Sequence, residues 1–68
     1  MKNLSLFQLK GMSRTVIDSY MIDNNYKVYN VDIGDTVKDS IVTYKLQSVV
    51  VNAITCHFYD NSLYRIDL

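Results

Sequence analysis

The C-terminal third of the chain constrains the fold most. Val49-Val50-Val51-Asn52-Ala53-Ile54-Thr55-Cys56-His57-Phe58-Tyr59 is dense in β-branched and aromatic side chains, Asp60-Asn61-Ser62 is turn chemistry, and Leu63-Tyr64-Arg65-Ile66-Asp67-Leu68 alternates. This pattern predicts a β-hairpin. Strict alternation along its last strand puts Tyr64, Ile66 and Leu68 on one face and Arg65 and Asp67 on the other. A second hairpin is expected upstream, where residues Thr15 to Ile22 and Tyr26 to Ile33 flank Asp23-Asn24-Asn25, residues that tolerate the left-handed backbone of tight turns. Its first arm has a competing helical pattern, because Val16, Ile17, Tyr20 and Met21 fall at helical spacing after Ser13, an N-cap residue. The β-branched Thr15, Val16, Ile17 and Ile22 tilt the expectation to strand.

Two segments are less directive. Between Thr36 and Leu46, Asp35 could cap a helix with Val37, Ile41, Tyr44 and Lys45 along one stripe, yet Val42, Tyr44 and Leu46 alternate as a strand would, and strand is the expectation. Residues Leu4 to Lys10 read as a short strand before Gly11 or as a helical turn.

With 68 residues the chain forms one domain, 1 to 68, and a domain of this size buries only about 60% of the surface its unfolded form exposes. Staples are scarce. One cysteine cannot close a disulfide within the chain, and Cys56 with His57 falls short of the roughly four ligands of a structural zinc site. The core therefore comes from apolar side chains alone or is completed by a second copy, the usual remedy below roughly 70 to 80 residues, so a homo-oligomer is expected. No stretch approaches the roughly 20 apolar residues of a membrane span. Near the N-terminus Ser5 and Gln8 interrupt the apolar run and Lys10 closes it, short of the roughly 7 to 15 apolar residues of a signal peptide. A soluble cytoplasmic protein with no membrane partner is expected, its lone thiol reduced.

Seven basic and seven acidic residues give a net charge of zero. That balance disfavours both a dedicated DNA binder, which carries a basic surplus to displace phosphate counterions, and an acidic DNA mimic. All seven acids are Asp, which prefers caps and turns to helix interiors. The absence of Glu, Pro and Trp with frequent Asn and Tyr resembles the usage of small proteins from A+T-rich bacteria and their phages.

The stretch Asp32-Ile33-Gly34-Asp35-Thr36-Val37 resembles the (I/V)-G-D-x-V entry of small SH3-like and KOW-like barrels. The resemblance covers residues 26 to 68. It implies that the Gly-Asp pair bends the chain into a strand, with Val49 to Ile54 and Leu63 to Leu68 as later strands of a five-stranded barrel. The segment from Lys38 to Gln47 departs from it, lacking the usual glycine-bearing turn, and nothing before Tyr26 is accounted for. Such barrels bind peptides, nucleic acids or other proteins and recur among phage-encoded accessory proteins, so the likeness implies a fold without a function.

Chemistry-bearing constellations are sparse. Cys56 and His57 are adjacent, and a thiol can be activated by an imidazole, but neighbouring strand residues point to opposite faces. Asp32, Asp35 and Asp39 sit where turns and caps use aspartate. No phosphate loop, metal-ligand spacing or serine elbow is present, so neither an enzyme nor a cofactor is expected. Tyrosine is the most informative class, since its ring buries area while its hydroxyl stays wet. Tyr26, Tyr29, Tyr44 and Tyr59 are candidates for a binding patch, with Lys27, Lys45 and Arg65 as cationic neighbours. Such a patch serves a protein contact or the stacking of bases in a nucleic acid or nucleotide; neutrality favours protein. The expectation is a mainly β protein, a small antiparallel SH3-like barrel or a curved sheet built from hairpins with room for one short helix. It would be non-enzymatic, would self-associate and would bind or inhibit a partner protein, as a phage-encoded inhibitor of a host or defence protein does.

Overall fold

The computed structural model describes residues 6–46 and 53–68. A 3₁₀ turn (Leu6–Leu9) leads into helix α1 (Arg14–Asp23), and four strands follow: β1 (Tyr26–Ile33), β2 (Asp39–Leu46), β3 (Ala53–Tyr59) and β4 (Ser62–Asp67). All neighbours are antiparallel and the sheet order is β1-β2-β3-β4, so β1 and β4 are its edges. The mainly β architecture with one short helix is the one the sequence predicts. The residues Val49 to Asn52 of the predicted hairpin lie outside the described residues.

The segment expected to be the first arm of an upstream hairpin is instead α1. The reason is burial. At helical spacing Ile17 and Met21 come to 0% and 1% exposure beneath the sheet, each worth about 1.5–3 kcal/mol of apolar transfer. Val16 and Ile22, whose branching favoured strand, stay on the solvent side at 42% and 58% exposure, so their backbone preference is outweighed. Local signals agree: Ser13 is an extended N-cap whose Oγ accepts from Val16 N at 3.4 Å, and Arg14 pairs with Asp18 one turn on at 3.0 Å. Asn24 then bonds back to the Tyr20 carbonyl through Nδ2 at 2.8 Å, and Asn25 reverses the chain at φ 69°. Tyr26 to Ile33 is a strand, as expected, but its partner is β2. The 3₁₀ turn resolves the other open alternative, and it buries Leu9.

The core lies between α1 and one face of the sheet: Leu9, Ile17, Met21, Val42, Tyr44, Cys56, Phe58 and Leu63, with Tyr26, Ile54 and Ile66 packed at its margin. β2 and β3 contribute alternate residues, as a half-buried sheet requires, while β1 adds only Tyr26 at the margin. Two bulges break the alternation. In β1 the register shifts between Val28, opposite Tyr44, and Asn30, opposite Thr43, leaving Tyr29 as the extra residue. In β4 Leu63 faces Phe58 and Arg65 faces His57, leaving Tyr64 as the extra residue. The face expected to carry Tyr64 with Ile66 is thus corrected: Leu63 and Ile66 point inward, and Tyr64 is 50% exposed. The β3–β4 turn has Asp60 and Asn61 at φ 51° and 67°, both left-handed as a two-residue hairpin loop demands. Gly34 leaves β1 at a loop, where its amide bonds the Asp39 carbonyl and a Cβ would stand 2.6 Å from that of Asp39.

Candidate functional site

With α1 on one face, no described element covers the other face of the sheet. Cross-strand register defines what lies on it. Lys27 faces Lys45, Asn30 faces Thr43, Asp32 faces Ile41, Ile41 faces His57, and His57 faces Arg65. The two bulge residues add Tyr29 near one edge and Tyr64 near the other.

Around Tyr29, the Lys45 ammonium stands 3.7 Å from the centre of the phenol ring, a cation–π contact of about 0.5–1 kcal/mol at an exposed position. Lys27 completes a small cationic corner with this ring. On the β3–β4 side, His57 Nε2 lies 2.9 Å from Asp67 Oδ2, and Arg65 Nε donates to Asp67 Oδ1 at 3.1 Å. These hydrogen bonds, from His57 first and Arg65 second, hold the Asp67 carboxyl below the usual aspartate range. Tyr64 leans on His57 with ring centres 6.1 Å apart. A carboxylate can only accept, so Asp67 takes one hydrogen bond from His57 and one from Arg65 and ties β3 to β4 on this half of the face.

The predicted site residues divide sharply. Tyr29, Lys27 and Lys45 come together at the β1–β2 corner, and Arg65 and Tyr59, the latter 49% exposed, lie on the same open side by β3 and β4. Tyr26 instead turns inward against the core margin. Tyr44 is a correction: it is fully buried, because its position in β2 faces α1, and its hydroxyl donates to Asp18 Oδ1. Burial, followed by that hydrogen bond and the Asp18 charge, keeps the phenol protonated well above its usual range. Tyr64 and the His57–Asp67 pair were not predicted. The signal was present in Leu63 and Ile66, two apolar residues that cannot both face inward unless one residue between them is bulged out.

Cys56 and His57 diverge. Cys56 is wholly buried opposite Val42 and Ile66, its thiol pushed up to about 11 by burial and then by the charge of Asp18, while His57 faces the open side. A thiol so raised is a poor nucleophile at neutral pH. Of the aspartates, Asp32 accepts from Asn30 Nδ2 at 2.8 Å, and Asp39 accepts from Thr36 N at 3.4 Å to close the β1–β2 loop. Among the described residues no group of three His, Cys, Asp or Glu side chains is placed to hold a metal ion, and no helix is long and apolar enough to cross a membrane. The start of α1 borders a depression with Lys38 and Asp60, where Arg14 N donates to Asn61 Oδ1 and Arg14 Nε to Asp18 Oδ1. Comparison with family models, with curated proteins and with solved structures returns no match.

Proposed function

We propose that this protein is a non-enzymatic interaction module that binds a partner protein through the open face of its sheet. One observation carries this: three tyrosines, Tyr29, Tyr59 and Tyr64, are 49–61% exposed on a sheet face that no described element covers. Tyrosines presented on a rigid strand scaffold offer large contact area with few rotamers to freeze, the composition of interface hot spots. The face is electrically mixed, with Lys27, Lys45 and Arg65 set against Asp32 and Asp67. Such mixing suits a protein surface better than a phosphate backbone, whose binding draws on uniform positive charge. The partner would be inhibited or redirected by steric cover, with no chemistry required of this chain.

Affinity capture from the cell that makes the protein, followed by mass spectrometry, tests the reading. A protein retained by the native sequence should be lost, by about tenfold or more in affinity, on Tyr29→Ala or Tyr64→Ala, both at exposed positions where the cost to folding stays within about 1 kcal/mol. Capture that is indifferent to both variants, or salt-sensitive retention of single-stranded oligonucleotides in place of protein, refutes it.

A further inference from the structure

The two edges of the sheet are not equivalent. The outer edge of β4 is engaged at Leu63, whose carbonyl accepts from Gly11 N at 2.7 Å and whose amide donates to Met12 O at 2.9 Å. The outer edge of β1 has no partner among the described residues. Seven of its eight residues are exposed, and three that face the helix side are apolar: Val28 at 39%, Val31 at 49% and Ile33 at 70%. Long apolar edge strands of this kind are templates for pairing with another strand.

The side-chain pattern of β1 specifies which strand. Reading Tyr26-Lys27-Val28-Tyr29-Asn30-Val31-Asp32-Ile33 against itself in the reverse direction brings Tyr26 opposite Ile33, Lys27 opposite Asp32, Val28 opposite Val31 and Tyr29 opposite Asn30. Apolar meets apolar and cation meets anion. A two-fold axis perpendicular to the sheet keeps each residue on its own face, so the match is usable only if both members of every pair share a face. In a regular strand Lys27 and Asp32 differ in parity and point to opposite sides. The bulge at Tyr29 changes the phase. Lys27 opposite Lys45 and Asp32 opposite Ile41 both lie on the open face, whereas Val28 opposite Tyr44 and Val31 opposite Val42 both lie on the helix face.

Electrostatics within one chain point the same way. Lys27 has a like charge, Lys45, as its cross-strand neighbour, an unfavourable pairing, and Asp32 has Ile41. Neither has an ionic partner among the described residues. We infer that β1 pairs antiparallel with β1 of a second copy of this chain, in the register that sets Lys27 against Asp32, to form one continuous sheet across an isologous two-fold. The inference goes beyond the interaction-module reading, because the pairing uses the β1 edge and not the open face, and it stands or falls separately. The pairing doubles the open face, bringing two Tyr29 rings beside the axis.

Sedimentation velocity at low salt, from micromolar to millimolar concentration, tests it with four proteins: the native sequence, Lys27→Asp, Asp32→Lys and the double swap. The native chain should move from its 7.9 kDa monomer mass toward twice that value. Each single variant turns two attractive pairs per dimer into two repulsive ones and should weaken association on the order of tenfold, more visibly at low than at high salt. The double swap restores opposite charges and should return the affinity to within about twofold of native by the same pair energies. Both positions are exposed, and Lys27→Asp relieves the repulsion from Lys45, so loss of folding is not the expected cause of a monomer; dichroism confirms this for each variant. A native chain that stays monomeric throughout overturns the inference. So does a dimer indifferent to the single variants, or a double swap no better than either. A charge-responsive dimer whose open-face tyrosine variants capture partners no differently from native would keep this pairing and remove the partner reading. A monomer that still captures a tyrosine-dependent partner does the reverse.

Discussion

Tyr44→Phe should change sign with background, destabilising beside Asp18 and stabilising once Asp18 has been removed. Tyr44 is fully buried, and its hydroxyl has Asp18 as acceptor; Asp18 is 29% exposed in its side chain and also receives Arg14 Nε at 3.0 Å. In Tyr44→Phe the carboxylate keeps Arg14 and solvent, so the loss is below the roughly 1.5–3 kcal/mol of a charged hydrogen bond, about 1 kcal/mol. In Asp18→Ala the hydroxyl is left in the core without its acceptor, costing about 1–3 kcal/mol, and the one-turn pair with Arg14 goes as well, about 0.3–0.5 kcal/mol. Better helix propensity of Ala returns about half a kcal/mol, for a net loss of about 2 kcal/mol. Adding Tyr44→Phe to Asp18→Ala removes the orphaned hydroxyl, so the double variant should be more stable than Asp18→Ala by about 1 kcal/mol. The coupling is then about 2 kcal/mol, well above the few tenths expected of independent sites. Urea unfolding followed by far-ultraviolet dichroism measures it, and in a chain of this size each kcal/mol moves Tm by roughly 4–8 °C. If Tyr44→Phe costs the same in both backgrounds, the hydroxyl does not depend on Asp18, and the account of how α1 is fastened to the sheet fails.

Three further outcomes are expected. Gly11 sits at φ 95° with nothing within 4 Å of a built Cβ, so Gly11→Ala should lose stability through backbone strain alone, about 1–2 kcal/mol by thermal unfolding; a neutral result would mean the loop tolerates another conformation. Because the Asp67 carboxyl is held below its unfolded value by His57 and then Arg65, its stabilising contribution is present above pH about 4 and is lost as pH falls through the lowered folded value. Unfolding measured from pH 6 downward should therefore show a shallower acid limb in Asp67→Asn, and an unchanged limb would refute the linkage. Cys56 has the opposite sign: its folded pKa is raised to about 11, so the stability it contributes is intact below its unfolded value and declines as pH rises between the two, a decline that Cys56→Ala should remove. The same burial predicts that a disulfide reagent titrates the thiol at the rate of unfolding, and rapid native-state reaction would contradict its placement.

The C-terminal hairpin was legible because its signals are local: a β-branched and aromatic run before a two-residue Asp-Asn loop, and alternating apolar and polar residues after it. The β2 strand followed from alternation of Val42, Tyr44 and Leu46. At α1 the β-branched residues favour strand and the apolar spacing favours helix, and the spacing wins. Val16 and Ile22 are exposed on the helix and decide nothing, whereas the spacing of Ile17 and Met21 does, since that spacing alone hides both beneath the sheet. Tyr44 is a related case. A tyrosine in an alternating strand is inward or outward according to its phase, and its neighbours Val42 and Leu46 had already set that phase; only the acceptor for its hydroxyl, Asp18 on α1, lay beyond local pattern.

Phase also links the edges of the sheet to the proposed site. In β1 the apolar residues fall at Tyr26 and Val28, then at Val31 and Ile33, so the alternation slips at Tyr29-Asn30; in β4 Leu63 and Ile66 record a second slip. Each slip lets a tyrosine and the residue after it share the open face, so that the apolar residues beyond the slip stay on the helix face. The consequences differ at the two edges. In β4 Arg65 and Asp67 end two apart on the same face and bond each other, so their charges are spent within the chain, and the Gly11–Met12 segment occupies the adjoining edge. In β1 Lys27 and Asp32 lie too far apart to pair within one strand, yet the slip gives them a common face. A bulge usually discourages edge pairing by twisting the strand away. Here it is the condition for a two-fold match, because without it no perpendicular axis could set Lys27 against Asp32 and Val28 against Val31 together.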